Sequence, residues 1–280
     1  MPTSQTSPAS VISGLVGPDT RFTRNGADGV SWVRSTGSTN ADLAAAVRLG
    51  GTGFRVLVTD HQETGRGRFS RPWQDAPGTS ALMSLLIPND RPATDWGWLS
   101  MVAGLAVVRA VEEAGADPRR VTLKWPNDVL VDAEREHGGK LCGILSERVD
   151  GPAGPHAVIG IGLNVSMGSE DLPVPTATSL ALCGLPHDRA HLVASIVRAV
   201  DDLLGEWLET GTVRDAYRER CDTIGSPVRL TFDPLTVGGG PRVVEGIGVD
   251  VAADGSIVVE TQGRRQAFAA ADVQHLRPVR

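Results

Sequence analysis

Between Ser31 and Arg220 segments with helical spacing alternate with short apolar runs, and after Ile224 the helical spacing stops. The remainder is a succession of short β-rich runs, PVRLTF, VVEGIGVDV, SIVVET and RRQAFAA, with Asp254-Gly255 supplying a hairpin turn between the second and the third. This order of elements predicts an α+β architecture: a mixed sheet flanked by helices over residues 31–224, then a small β-barrel-like domain over 225–280. No fixed-period internal repeat is present.

Residues 1–30 are rich in Ser, Thr, Pro and Gly without sustained periodicity, which predicts a loosely ordered arm that contributes little to function. Ser38-Thr39-Asn40 precede Leu43, Ala44 and Val47 at helical spacing, so Ser38 or Thr39 is the expected N-cap. FRVLVT (54–59) and ALMSLLI (81–87) read as strands. The long polar, glycine-containing stretch between them is either functional or disordered. WGWLSMVAGLAVVRAVEEAG (96–115) reads as a buried helix ended by Gly115. Strands are expected at 121–125, 129–131, 141–147 and 157–165, with 134–139 as an exposed hairpin tip, and helices at 187–208 and 213–220.

A formal net charge of −6 argues against general nucleic-acid affinity, because phosphate neutralisation needs clustered Lys and Arg over a broad face. Any anion site must therefore be local. Arg66, Arg68 and Arg71 lie together in the long polar stretch, with Lys124 and Lys140 elsewhere. The start MPTSQTSPAS lacks the regions of a secretory signal and no long uncharged apolar run occurs, so a cytoplasmic location without a membrane partner is expected. Three cysteines, Cys142, Cys183 and Cys221, show no paired framework and read as reduced thiols. The phosphate-binding loop, dinucleotide and nucleophile-elbow signatures are all missing, so a nucleotide site must be of another kind. His187 and His191 do not complete a zinc motif, and the Asn164-Val165-Ser166 sequon falls in an apolar strand.

Four segments occur in a telling order: Gly37-Ser38-Thr39-Asn40; His61-Gln62-Glu63-Thr64-Gly65-Arg66-Gly67-Arg68 with Trp73; Lys124-Trp125-Pro126-Asn127-Asp128; and Gly139-Lys140-Leu141-Cys142-Gly143-Ile144-Leu145-Ser146-Glu147. Together with Gly160-Ile161-Gly162-Leu163-Asn164-Val165 and the terminal β segment, they resemble the biotin protein ligases from about residue 31 onward. The resemblance implies a class II synthetase-like catalytic domain with an SH3-like C-terminal barrel. It implies activation of biotin by ATP to biotinyl-AMP, then transfer to a lysine of a biotin carboxyl carrier domain. ATP and magnesium enter as co-substrate and ion, with no tightly bound prosthetic group. A lipoate ligase is disfavoured by G-R-G-R with K-W-P-N-D, a DNA-binding repressor by the lack of a helix pair in residues 1–30, and a catalytically dead binding module by the retained Arg66, Arg68 and Lys140.

Joining a carboxylate to the α-phosphate of ATP brings two anions together, so cations and backbone N–H groups must neutralise both. Gly65 and Gly67 let the backbone approach an anion while Arg66 and Arg68 add guanidinium forks. By resemblance Ser38, Thr39, Asn40 and Gln62 line the biotin pocket, with Arg66, Gly67 and Arg68 beside them. Lys140 contacts the biotin carboxyl group and the forming acyl phosphate. Lys124, Arg71 and Asn127 lie near the nucleotide, Trp73 stacks on adenine, Asn164 reads its exocyclic edge, and Asp128 holds magnesium or meets the incoming amine. The alternatives are a helix cap for Ser38, a turn residue for Asp128, core packing for Trp73 and a solvated strand-edge lysine for Lys140. One departure from the family loop is Phe69-Ser70-Arg71-Pro72, where Ser70 replaces a glycine and Pro72 fixes φ, which puts in question how the loop orders.

Overall fold

The computed structural model describes residues 8–23, 29–133, 137–232 and 242–276. Seven strands form one mixed sheet in the order β1-β2-β3-β7-β6-β5-β4: β1 (Val30–Val33), β2 (Arg55–Thr59), β3 (Ser80–Pro88), β4 (Val121–Lys124), β5 (Asp128–Val131), β6 (Gly139–Gly151) and β7 (Gly154–Asn164). Only β1 and β2 run parallel; the other neighbours are antiparallel. The apolar runs of the sequence are these strands. The expected tip at 134–139 lies partly outside the described residues.

Because side chains alternate across a strand, the central strands β2, β3, β6 and β7 feed two cores. Val56, Val58, Leu85, Ile87, Ala157 and Ile159 pack beneath helices α3 (Gly97–Glu113) and α4 (Arg189–Thr210). Leu57, Leu86 and Val158 point to the opposite face, where Leu43, Ala44 and Val47 of α2 (Thr39–Arg48) cover them. Ser38 is the N-cap of α2, its side chain accepting from Ala41 N–H, and Gly115 follows α3 with a φ of 110°.

The N-terminal arm is a correction. Residues 8–16 form a helix, α1 (Pro8–Val16), packed on α4, and Ile12, Val16 and Phe22 are buried in the main core. Arg198 Nη1 donates to Leu15 O at 2.6 Å and Arg21 Nη1 to Asp201 Oδ1 at 3.0 Å. Val11, Ile12, Leu15 and Val16 do keep helical spacing, but only over two turns, and packing on α4 supplies what so short a helix lacks alone. Ile12→Ala is therefore expected to destabilise the protein by about 2–4 kcal/mol, seen as a lowered Tm, instead of leaving stability unchanged as in a loose arm.

After α5 (Arg214–Arg220) come five antiparallel strands in the order β11-β10-β9-β8-β12: β8 (Pro227–Phe232), β9 (Arg242–Val251), β10 (Ile257–Thr261), β11 (Arg264–Phe268) and β12 (Asp272–His275). Four are the β-rich runs of the sequence; the short β12 is an addition to them. The inner face of this sheet, including Val228, Leu230, Ile257 and Val259, continues the main core. Trp98 and Trp125 donate their indole N–H groups across the junction to Ala253 O at 2.8 Å and Gly255 O at 2.9 Å.

Candidate active site

The face of the large sheet shared with α2 is covered at one end only. Beyond the helix its side chains stop: Gly143 of β6 pairs with Gly162 of β7, and Gly160 pairs with Ser84 of β3. The result is a cleft of about 770 Å³, and every residue given a site role from the sequence lines it except Gly65, which is buried behind it.

At its inner end the loop-to-helix turn supplies small polar groups. Gln62 Oε1 accepts from Thr39 N at 2.9 Å and lies 3.0 Å from Thr39 Oγ1, which leaves the Gln62 Nε2 donors for another acceptor. Ser84 Oγ, fully buried, sits 2.6 Å from both Thr39 Oγ1 and Asn40 Oδ1. Asn40 Nδ2 donates to Glu147 Oε2 at 2.7 Å and to Leu145 O at 3.2 Å. Asn40 is thus fixed by strands β3 and β6, and a Cβ on Gly160 would lie 2.5 Å from its Oδ1.

At the other end the cations converge. Lys124 and Asp128 are register partners, so both point into the cleft. Lys140 joins them because a bulge in β6 places Lys140 opposite Leu130 and Gly143 opposite Asp128, restoring both to one face. Lys140 Nζ lies 2.5 Å from Asp128 Oδ1 and Lys124 Nζ 3.7 Å from Oδ2. Asp128 is 15% exposed and Lys140 36%, so the pair is sheltered but still reachable. A carboxylate between two ammonium groups serves as a counter-charge that an incoming phosphate can displace.

The long polar stretch is a hairpin. Trp73 N donates to Gly65 O and Gly67 N to Arg71 O, both at 2.8 Å. A 3₁₀ turn closes it over Arg68–Ser70, and the left-handed residue is Phe69 with a φ of 56°. Arg68 Nη1 donates to Asn127 Oδ1 at 3.1 Å, and Nη1 and Nη2 each lie 3.3 Å from Ala271 O, just before β12. Burial lowers the Arg68 pKa, opposed by the charges of Asp272 and Asp128. Arg71 pairs with Asp272. Arg66 is exposed and has no ion pair among the described residues. Asn127 Nδ2 donates to Ile144 O at 2.8 Å, so both ends of its amide are engaged and it acts as a strut between hairpin and sheet. Asn164, buried, donates Nδ2 to Thr178 O at 2.9 Å, which leaves its Oδ1 as an acceptor.

The Trp73 ring lies against the bare strands. A Cβ on Gly162 would stand 2.6 Å from its Cζ2, and one on Gly143 2.7 Å from its Cζ3. Its Nε1 is buried without a hydrogen-bond partner among the described residues. Gly162→Ala must push the indole off the sheet, and overpacking of this kind costs about 1–3 kcal/mol. The expected result is a folded protein whose affinity for a ligand in the cleft falls by about tenfold or more, read by calorimetric titration.

Ser84, Glu147, His61, Asp75 and Asp272 also shape the site, though the sequence assigns them no role. His61 and Glu147 are visible within the second and fourth motifs; for Ser84, Asp75 and Asp272 no local signal exists, since their partners lie far along the chain. The cysteines are free, and burial raises the pKa of the Cys142 and Cys221 thiols, so neither is a ready nucleophile. His187 Nδ1 faces Leu185 O and His191 pairs with Asp188; among the described residues no acidic, His or Cys cluster could hold a metal. No helix among them is long and apolar enough to cross a membrane.

Residues 51–164 match the biotin/lipoate A/B protein ligase family. Over 250 residues the chain is 40% identical to the biotin–[acetyl-CoA-carboxylase] ligase of Mycobacterium tuberculosis, covering 88% of each chain. It is 29% identical to the protein of the same name from Paracoccus denitrificans, over 85% of this chain and 97% of the other. The biotin protein ligase of Aquifex aeolicus, solved in complex with biotin and ATP, superposes with a TM-score of 0.70 at 22% identity, covering 88% of this chain and 99% of that one. That likeness is one of fold. The identity to the mycobacterial ligase extends over most of both chains, and on that ground the chain belongs to the biotin protein ligase family.

Proposed function

We propose that the protein activates biotin with ATP and transfers it to a lysine of a biotin carboxyl carrier domain, as a biotin–[acetyl-CoA-carboxylase] ligase. The observation that carries this reading is the two-ended cleft: small polar groups at Thr39, Asn40 and Gln62, and two cations, Lys124 and Lys140, around one displaceable carboxylate, with Arg66 also lining the cleft. The polar end suits a ureido ring, whose carbonyl can accept from Gln62 Nε2, within apolar walls that receive the rest of the bicycle. The cationic end suits a carboxylate and a triphosphate.

In the first step a biotin carboxylate oxygen attacks the α-phosphorus and pyrophosphate leaves. Lys140 draws the two anions together and stabilises charge on the transferring phosphoryl group; Lys124 and Arg66 neutralise the remaining phosphates. In the second step the carrier amine attacks the acyl carbonyl, the bond to AMP breaks, and the amine loses a proton. Asp128, released from Lys140 by the phosphate, is placed to receive that proton or to ligate magnesium. One carboxylate fits a magnesium ion delivered on ATP, which takes its other ligands from phosphates and water and supplies charge neutralisation when bound. Trp73 offers its face to adenine and Asn164 Oδ1 accepts from the exocyclic amine. We assign catalysis to residues 31–224 and the gripping of the hairpin to 225–280, whose five strands we read as an SH3-like barrel. The net charge of −6 supports a protein without DNA or membrane partners, working in the cytoplasm where ATP and reduced thiols are found.

The protein mixed with biotin, ATP, magnesium and a carboxyl carrier domain is expected to raise the carrier's mass by one biotinyl group, seen by mass spectrometry, with no gain when lipoate replaces biotin. A lipoyl gain in its place would move the protein to the other branch of the family.

A further inference from the structure

We propose that His61 and Asp75 form a latch across the base of the 65–73 hairpin and act as positioning residues for Gln62 and Trp73. The Asp75 side chain is fully buried, with Oδ2 2.9 Å from His61 Nδ1 and Oδ1 without a hydrogen-bond partner among the described residues. A carboxylate taken from water is costly unless something compensates it. Here the compensating group is the His61 ring, whose side chain is 32% exposed. Neither side chain lines the cleft. Yet His61 immediately precedes Gln62, and Asp75 follows Trp73 by two residues, so the pair joins the leg that enters the hairpin to the leg that leaves it.

Elsewhere the base is moored by other means. His61 O accepts from Thr36 N at 3.2 Å and from Thr59 Oγ1 at 3.0 Å, and Asp60 O accepts from Gly78 N at 2.8 Å. The Asp60 carboxylate accepts from Arg189 Nη2 at 2.7 Å and Trp32 Nε1 at 3.2 Å. The contacts from Thr59, Trp32 and Arg189 hold the entering leg to β2, β1 and α4, that from Thr36 to the segment after β1, and the Gly78 N–H is a backbone tie to the leaving leg. The latch is the side-chain tie between the two legs, and through it the leaving leg, with Trp73, inherits that anchorage. Lys124 and Lys140 stand on the sheet and do not depend on the hairpin for their place. Loss of the latch therefore loosens ligand binding, the Arg66 contact included, while Lys124, Asp128 and Lys140 stay put.

The hairpin carries its own reporters, because trypsin cuts after Arg66 and Arg68. In His61→Ala, cleavage at these sites is expected to accelerate about tenfold, following the raised population of the open hairpin. KM for biotin and ATP is expected to rise about tenfold with kcat held within about threefold. His61→Asn, whose amide N–H can stand where Nδ1 stands, is expected to restore both. Asp75→Ala should behave as His61→Ala; if it does not fold, His61→Ala at the half-exposed position carries the test alone. Cleavage and KM in His61→Ala both within about twofold of wild type would overturn the latch. The proposal rests on the reading of Gln62 and Trp73 as ligand contacts, and the two parts separate: faster cleavage with unchanged KM upholds the latch and removes those two residues from the ligand site.

Discussion

Lys140→Ala is expected to fold normally and to form adenylate about 10² times more slowly or worse, the usual effect of removing one electrostatic stabiliser of developing charge. Normal folding follows from where the side chain is: its ammonium group faces the cleft, 36% exposed, and its partner Asp128 keeps Lys124 within 3.7 Å. The rate loss follows from the cations that remain. Under the proposed assignment Lys140 stands between the biotin carboxylate and the α-phosphate, a place that neither Lys124, on the next strand but one, nor Arg66, on the hairpin, can take. Pyrophosphate release reports the step directly, independent of carrier. Near-normal release from a folded variant would take Lys140 out of the chemistry and leave it as a counter-ion of Asp128.

Arg68→Gly is expected to make adenylate and to lose it. The mixed anhydride must wait, shielded from water, until a carrier lysine arrives, so retention belongs to catalysis. Arg68 ties the hairpin at once to Asn127 in the turn between β4 and β5 and to the Ala271 carbonyl just before β12, and its guanidinium packs 4.9 Å from the Phe69 ring centroid. Glycine removes all three contacts and leaves Arg66 and Lys140 to hold the phosphate and carboxylate. Leaked adenylate acylates any nearby amine. The expected observation is biotin on a bystander such as albumin with the variant, and on the carrier alone with the wild type. Equal bystander labelling by both proteins, or no adenylate from the variant, would show that Arg68 has no retaining role.

The cleft is legible in the sequence because its chemistry is written in clusters: G-R-G-R, K-W-P-N-D and G-K-L-C-G are unusual as local strings, and each becomes one wall. The central strands are legible because β3 and β7 are buried on both faces for most of their length, which makes them nearly continuous apolar runs. The features that escape depend on distance along the chain. α1 has helical spacing for only two turns and is held by α4; Asp272 matters only because Arg71 is folded onto it; Ser84 looks like any strand serine until Thr39 and Asn40 are brought over it. The bulge at Leu141 is hidden for another reason. It reverses the side-chain parity of Lys140, and only pairing with Leu130 and Asp128 reveals it.

The grip on Arg68 has a consequence for the order in which the protein is made. Arg68 and Ala271 are separated by 203 positions, and chains fold from the N-terminus as they leave the ribosome. The large sheet, with Lys124, Asp128 and Lys140 in place, is complete by residue 164, long before β12 is translated. Through that interval the hairpin lacks both the Ala271 carbonyl and the Asp272 counter-charge. A nascent chain of that length thus holds the strands that carry Lys124, Asp128 and Lys140 but not the contacts that clasp the hairpin, which are added only when β12 emerges.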